Sequence, residues 1–73
     1  MNTELWAGTT LEPAEMHMLN DKIGDMIMSR PLWESLGAPG HMGQFEYGGH
    51  VWLCGGLARY GMEHVKLRVR KVS

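Results

Sequence analysis

The segment that most constrains the fold is residues 64–71, where apolar residues alternate with basic or imidazole ones as far as Arg70. Three apolar residues take every second position, and basic or imidazole side chains stand between them: Val65, Leu67 and Val69, against His64, Lys66, Arg68 and Arg70. A period of two sends alternate side chains to opposite faces of an extended chain. The pattern predicts a β-strand with one face in the core and one basic face.

The residues before this strand predict a β-hairpin in the same sheet. Residues 44–47 alternate, and Gly48-Gly49 suits a two-residue turn because both glycines can adopt positive φ. The return strand is expected over residues 50–54, where Gly55-Gly56 should break it. The following residues, 57–61, fit either a turn of helix or a strand.

The N-terminal half predicts a helix over residues 13–30. Pro13 suits the first turn, and Pro31 marks the end of the helix. Apolar residues recur between them at helical spacing, namely Met16, Leu19, Ile23, Met26 and Ile27.

A short second helix is expected over residues 31–36, ended by Gly37 and Pro39. The complete expectation is an α+β fold in which one main helix and a short helix pack on a small antiparallel sheet formed mainly by residues 44–72. Its 73 residues suffice for one domain, residues 1–73, and for one core.

Several features predict a soluble, cytoplasmic protein without a membrane partner. Cys54 is the only cysteine, so an internal disulfide is impossible and a reducing compartment is favoured. The N-terminus lacks the basic and apolar regions of a signal peptide. No apolar run approaches the roughly 20 residues of a membrane span.

The charges are distributed unevenly along the chain. Residues 1–37 carry six acids and two bases, whereas residues 38–73 carry two acids and five bases. The net charge of the whole chain is −1. Two halves of opposite sign provide two surfaces of opposite sign for partners.

Four residues are chemically able to ligate zinc: His41, His50, Cys54 and His64. Only His50 and Cys54 are close in sequence, a second pair that would complete a zinc site is missing, and scattered surface histidines are the favoured interpretation. Cys54 with His50 or His64 resembles a catalytic dyad, but its apolar neighbours favour a buried, inert thiol. We therefore expect no enzyme, no metal and no cofactor.

The basic strand permits two interpretations, a DNA-binding surface or a solvated edge of the sheet. Helices and a hairpin suit a small winged-helix-like DNA-binding regulator, with the basic side chains on phosphates. Against this, the predicted main helix is acidic and the net charge is negative. The simplest alternative is a solvated edge strand whose charges prevent edge-to-edge aggregation.

Protein binding fits the residue types best, because tryptophan, tyrosine and arginine dominate binding hot spots. The predicted partner-binding residues are Lys66, Arg68, Arg70, Arg59, Trp6 and Trp52. An exposed strand edge would also accept a partner's peptide by β-augmentation. Nucleic acid is expected only indirectly, through the partner complex.

In size and overall character the chain resembles small lytic-phage regulators that bind bacterial RNA polymerase. Such a resemblance implies action in the host cytoplasm, inhibition of promoter recognition and antitermination. It covers the whole chain, but it assigns no role to individual residues. An inhibitor of a host defence complex has the same character.

Overall fold

The computed structural model describes residues 12–73, which form five β-strands and one short helix. Trp6, a predicted partner-binding residue, lies outside the described residues. The elements in chain order are β1 (Glu15–Met18), β2 (Ile23–Ser29), α1 (Arg30–Ser35), β3 (Gln44–Tyr47), β4 (His50–Tyr60) and β5 (His64–Lys71). No helix of residues 12–73 is long and apolar enough to cross a membrane.

The predicted main helix is wrong, because residues 15–29 form the antiparallel pair β1–β2. Asn20 closes the turn between these strands: its Oδ1 accepts the backbone N–H groups of Lys22 at 2.7 Å and Ile23 at 2.8 Å. The backbone N–H of Leu19 also donates to the C=O of Ile23 at 2.8 Å. This turn, which the Asn20 side chain stabilises, interrupts the segment whose apolar residues have helical spacing.

The apolar run in β2 serves both faces of the sheet. Met26 and Met28 are buried on one face, while Ile27, only 8% exposed, lies on the other. A short apolar run fits a buried strand as well as a helix, and periodicity alone does not separate them. Pairing with the distant strand β5 decides the outcome here.

The strands follow the order β1-β2-β5-β4-β3, and every neighbouring pair is antiparallel. β5 is therefore the central strand, so the interpretation of residues 64–71 as a solvated edge strand is wrong. The two-residue turn at Gly48 and Gly49 has the expected positive φ angles, 63° and 84°.

β4 continues through Gly55 and Gly56, contrary to the predicted break. A bulge between Cys54 and Gly56 adds a residue opposite β5, after which pairing resumes and reaches Tyr60. A bulge preserves the sheet and bends the strand, and a glycine inside a strand often marks one.

The core lies on one face of this sheet and is covered there by α1. Ser29 caps the helix through its Oγ, which accepts the N–H of Leu32 at 3.4 Å, and Leu32 enters the core. The remaining buried members of the core come from four strands: Met26, Met28, Phe45, Trp52, Cys54, Val65, Leu67 and Val69.

The sheet curls around this core. Five strands at a spacing of about 4.8 Å would separate β1 from β3 by about 19 Å if the sheet were flat. Instead, the N–H of Ala14, next to β1, donates to the hydroxyl of Tyr47 on β3 at 2.7 Å. The core face is therefore concave, and the opposite face is convex.

Candidate protein-binding face

The basic side chains of β5 lie at the centre of the convex face. Lys66, Arg68 and Arg70 alternate with core residues, so their side chains point away from α1 and the core. The side chains of Lys66 and Arg68 are 43% and 52% exposed. We call the outward-facing residues of β2, β5 and β4 the convex face.

The strand register places aliphatic side chains on both sides of two of these cations. Arg70 is opposite Ile23 on β2 and Leu53 on β4. Lys66 is opposite Ile27 and Ala58 in the same way. The convex face therefore mixes cations with apolar groups, as protein-binding surfaces do.

The third cation, Arg68, forms an ion pair within the face. Its Nε donates to Oδ1 of Asp25 at 2.6 Å, and its Nη2 donates to Oδ2 of Asp25 at 3.4 Å. Nζ of Lys66 lies 3.9 Å from the same carboxylate. Asp25 thus partly neutralises the stripe and fixes the orientation of Arg68.

This pairing shifts the pKa values of both groups in the directions expected for an ion pair. The hydrogen bond from Arg68 is the main cause that lowers the pKa of Asp25, while desolvation opposes it and the positive charges of Arg68 and Lys66 add to it. The same hydrogen bond raises the pKa of Arg68. Both groups are charged at neutral pH.

Asp25→Asn is expected to reduce stability at pH 7 but not under acidic conditions. Because the pKa of Asp25 is lower in the folded state, its carboxylate stabilises the fold above the ordinary value of 3.8. That contribution disappears as the pH falls through the folded-state pKa. Urea unfolding at pH 7 and at pH 2.5 measures the difference between the two proteins, which should shrink toward zero in acid. A difference that stays constant with pH would contradict the assigned ion pair.

The other predicted binding residues that the structure describes, Trp52 and Arg59, do not join this face. Trp52 is 4% exposed and belongs to the core, where its Nε1 donates to the C=O of Tyr47 at 2.9 Å. Arg59 is opposite the core residue Val65, so it lies on the concave side near the end of β4. Of the described residues in the predicted set, the structure brings together only Lys66, Arg68 and Arg70.

The candidate metal and nucleophile residues do not form a cluster of three or more within residues 12–73. His50 Nδ1 is 2.9 Å from the backbone oxygen of Ser73, and His41 Nδ1 is 3.1 Å from the C=O of Gly55. No group of three or more His, Cys, Asp or Glu side chains within residues 12–73 is placed to hold a metal ion. Burial raises the pKa of the Cys54 thiol, which donates to the C=O of Gly56 at 3.4 Å.

The helix that a winged-helix protein would insert into DNA is not among the described residues. In residues 12–73 the single helix, α1, has six residues and contacts the concave side of the sheet. The main helix that suggested this comparison is a β-hairpin instead.

Sequence reasoning missed Asp25, Ile23 and Leu53 as members of the candidate site. Ile23, Asp25 and Ile27 occupy every second position, which is the strand signal that the helical spacing concealed. Their proximity to the basic stripe depends on the β2–β5 register, which no local pattern specifies.

No protein-family model matches this chain, and neither the curated proteins nor the solved structures gave a match.

Proposed function

We propose that this protein is a non-enzymatic regulator that binds an acidic surface of a larger host assembly through its convex face. The observation that supports this proposal is the central stripe of Lys66, Arg68 and Arg70 with aliphatic neighbours in register. Cations direct the approach of an acidic partner, and the adjacent apolar groups provide area to bury.

The mixed chemistry favours a protein over nucleic acid as the partner. Asp25 stands in the middle of the stripe and would face a phosphate backbone at close range. Nucleic-acid-binding surfaces instead concentrate uninterrupted positive charge along the phosphates. Ile23 and Leu53, on either side of Arg70, also have no role in binding phosphate.

Bacterial RNA polymerase is the proposed target. The support is the resemblance of the whole chain to small lytic-phage regulators that bind this enzyme. In this proposal the protein occludes a polymerase surface, inhibits promoter recognition and promotes antitermination. Its site of action is the host cytoplasm.

Arg70→Glu is expected to weaken binding to bacterial RNA polymerase by about tenfold at moderate salt. Arg70 forms no ion pair with another described residue, so the substitution tests the face without breaking the Asp25–Arg68 contact. Purified polymerase and immobilised protein provide the binding curve, and a promoter-dependent transcription assay measures the inhibition.

Arg59→Glu is the matched control, because it makes the same charge change on the concave side. It should leave polymerase binding within about twofold of the unsubstituted protein at moderate salt. Equal losses from the two substitutions would show a general charge effect and contradict the assigned face. Failure of the unsubstituted protein to bind polymerase would eliminate that target.

A further inference from the structure

The outer side of β4 is only half paired. β3 covers residues 50–53, and the loop before β3 covers Cys54, whose N–H donates to the C=O of Gly43 at 2.7 Å. Beyond the bulge, β4 continues to Tyr60 with β5 on one side. Within residues 12–73, no strand pairs with the other side of residues 57–60.

Alternation identifies which backbone groups face this open edge. The N–H and C=O of Cys54 point away from β5, and the bulge adds one residue before the alternation resumes. The backbone groups of Leu57 and Arg59 therefore point outward, whereas those of Ala58 and Tyr60 point toward β5. A strand placed along this edge would find donors and acceptors at Leu57 and Arg59.

A groove of about 410 Å³ runs beside the open edge on the concave side. It lies between α1 and the β4–β5 hairpin, and its lining includes Trp33, Leu57 and Val65. Leu57 is 42% exposed, although its side chain is on the core face. The groove thus offers apolar contact to a side chain arriving with an added strand.

The charges of the groove identify the kind of occupant. Arg30 and Arg59 line it, and among residues 12–73 neither an aspartate nor a glutamate does. Arg30 forms an ion pair with Glu34, in which Nη2 lies 3.9 Å from Oε2, and both side chains are more than half exposed. Such an exposed pair is weak, so Arg30 is able to turn toward a ligand.

We propose that an extended acidic peptide of a partner protein adds to β4 at Leu57–Arg59 as a sixth strand. An acidic side chain of the peptide contacts Arg59 and Arg30, and an apolar side chain of the peptide lies over Leu57. A second copy of this chain is disfavoured at the same edge. Its own Arg30 and Arg59 would meet those of the first copy in a groove to which residues 12–73 contribute no acid. This peptide site lies on the opposite side of the sheet from the convex face, and it does not depend on the polymerase proposal.

The test uses the capped, fluorescently labelled peptide Thr-Thr-Glu-Thr-Val-Thr-Thr. In an antiparallel arrangement its glutamate pairs with Arg59 and its valine with Leu57. We expect saturable binding by fluorescence anisotropy, weakened about tenfold or more when lysine replaces the glutamate. N-methylation of the glutamate and valine should abolish binding, whereas N-methylation of the central threonine should not, because its N–H points away.

Variants of the protein complete the test. Arg59→Glu should weaken binding about tenfold, and Arg70→Glu, its match on the convex face, should have little effect. Leu57→Pro removes an outward N–H without removing a bond to β5, and it should abolish binding. If that variant fails to fold, Arg59→Glu and the methylated peptides still decide the result.

Amide hydrogen exchange gives an independent readout. In the free protein the amides of Leu57 and Arg59 should exchange faster than those of Ala58 and Tyr60, and the peptide should slow the first pair selectively. Absence of peptide binding, or binding insensitive to Arg59→Glu and to N-methylation, would overturn the proposal. Dimers that dissociate on Leu57→Pro substitution would assign the edge to a second copy and overturn it too.

Discussion

Trp52→Ala is expected to lower the free energy of unfolding by about 3–5 kcal/mol, the range observed when a buried aromatic residue is truncated. Trp52 is 4% exposed, and Phe45 lies directly opposite it on β3. The substitution also leaves the C=O of Tyr47 without the donor at 2.9 Å. Lys71 loses the ring that lies 5.8 Å from its Nζ.

That loss is large compared with the stability of a domain of this size. At about 0.05–0.15 kcal/mol per residue, 73 residues give a total of about 4–11 kcal/mol. Trp52→Ala should therefore be partly or fully unfolded at room temperature, as measured by urea titration and circular dichroism. Partner binding should be lost in proportion to the unfolded fraction.

Trp52→Phe is the matched control for this prediction. It keeps an aromatic ring in the core and removes the Nε1–H donor, so the loss should be smaller than for alanine. A stable, fully folded Trp52→Ala protein that no longer binds its partner would contradict the core assignment. It would restore the sequence-based interpretation of Trp52 as a contact residue.

Gly24→Ala should have the second-largest effect, about 1–3 kcal/mol of destabilisation through overpacking. A Cβ at Gly24 would lie 2.7 Å from the Cα of Met18 and 2.8 Å from the backbone oxygen of His17. Both atoms belong to the backbone of β1, so relief requires β1 to move away from β2. Urea unfolding gives the stability change, and amide exchange in residues 15–18 detects the displacement of the strand.

Gly56→Ala is the matched control, because it adds the same methyl group to another strand. The nearest atom to its Cβ would be Cβ of Arg68 at 3.9 Å, which is ordinary contact. Its stability should stay within about 0.5 kcal/mol of the parent protein. If Gly24→Ala destabilises the protein no more than Gly56→Ala does, the contact between β1 and β2 is looser than described.

The sequence predicts best where the pattern is local. The alternation in residues 64–71 identifies β5 with its two faces, and Gly48-Gly49 identifies the hairpin turn. The short helix is also recognisable, because Pro31 and Gly37 mark its two ends. In each case the residues that specify the conformation are neighbours in the chain.

Prediction fails where distant segments decide the structure. The apolar residues of β2 fit a helical stripe and a buried strand equally, and only pairing with β5 selects the strand. The same limit applies to the candidate site. The cations are evident in the sequence, but their central position and the pairing of Asp25 with Arg68 follow from strand order and register.

The position of β5 also governs how this chain folds. Within residues 12–73, the hairpins β1–β2 and β3–β4 do not pair with each other, and β5 joins them into one sheet. Two-stranded ribbons are marginally stable in water, so neither hairpin forms a durable unit by itself. β5 follows β4 after a turn of three residues, so β3, β4 and β5 form a local meander, and the pairing of β2 with β5 is the long-range contact. We expect this β2–β5 pairing to limit the folding rate, because it closes a loop across more than half of the described residues.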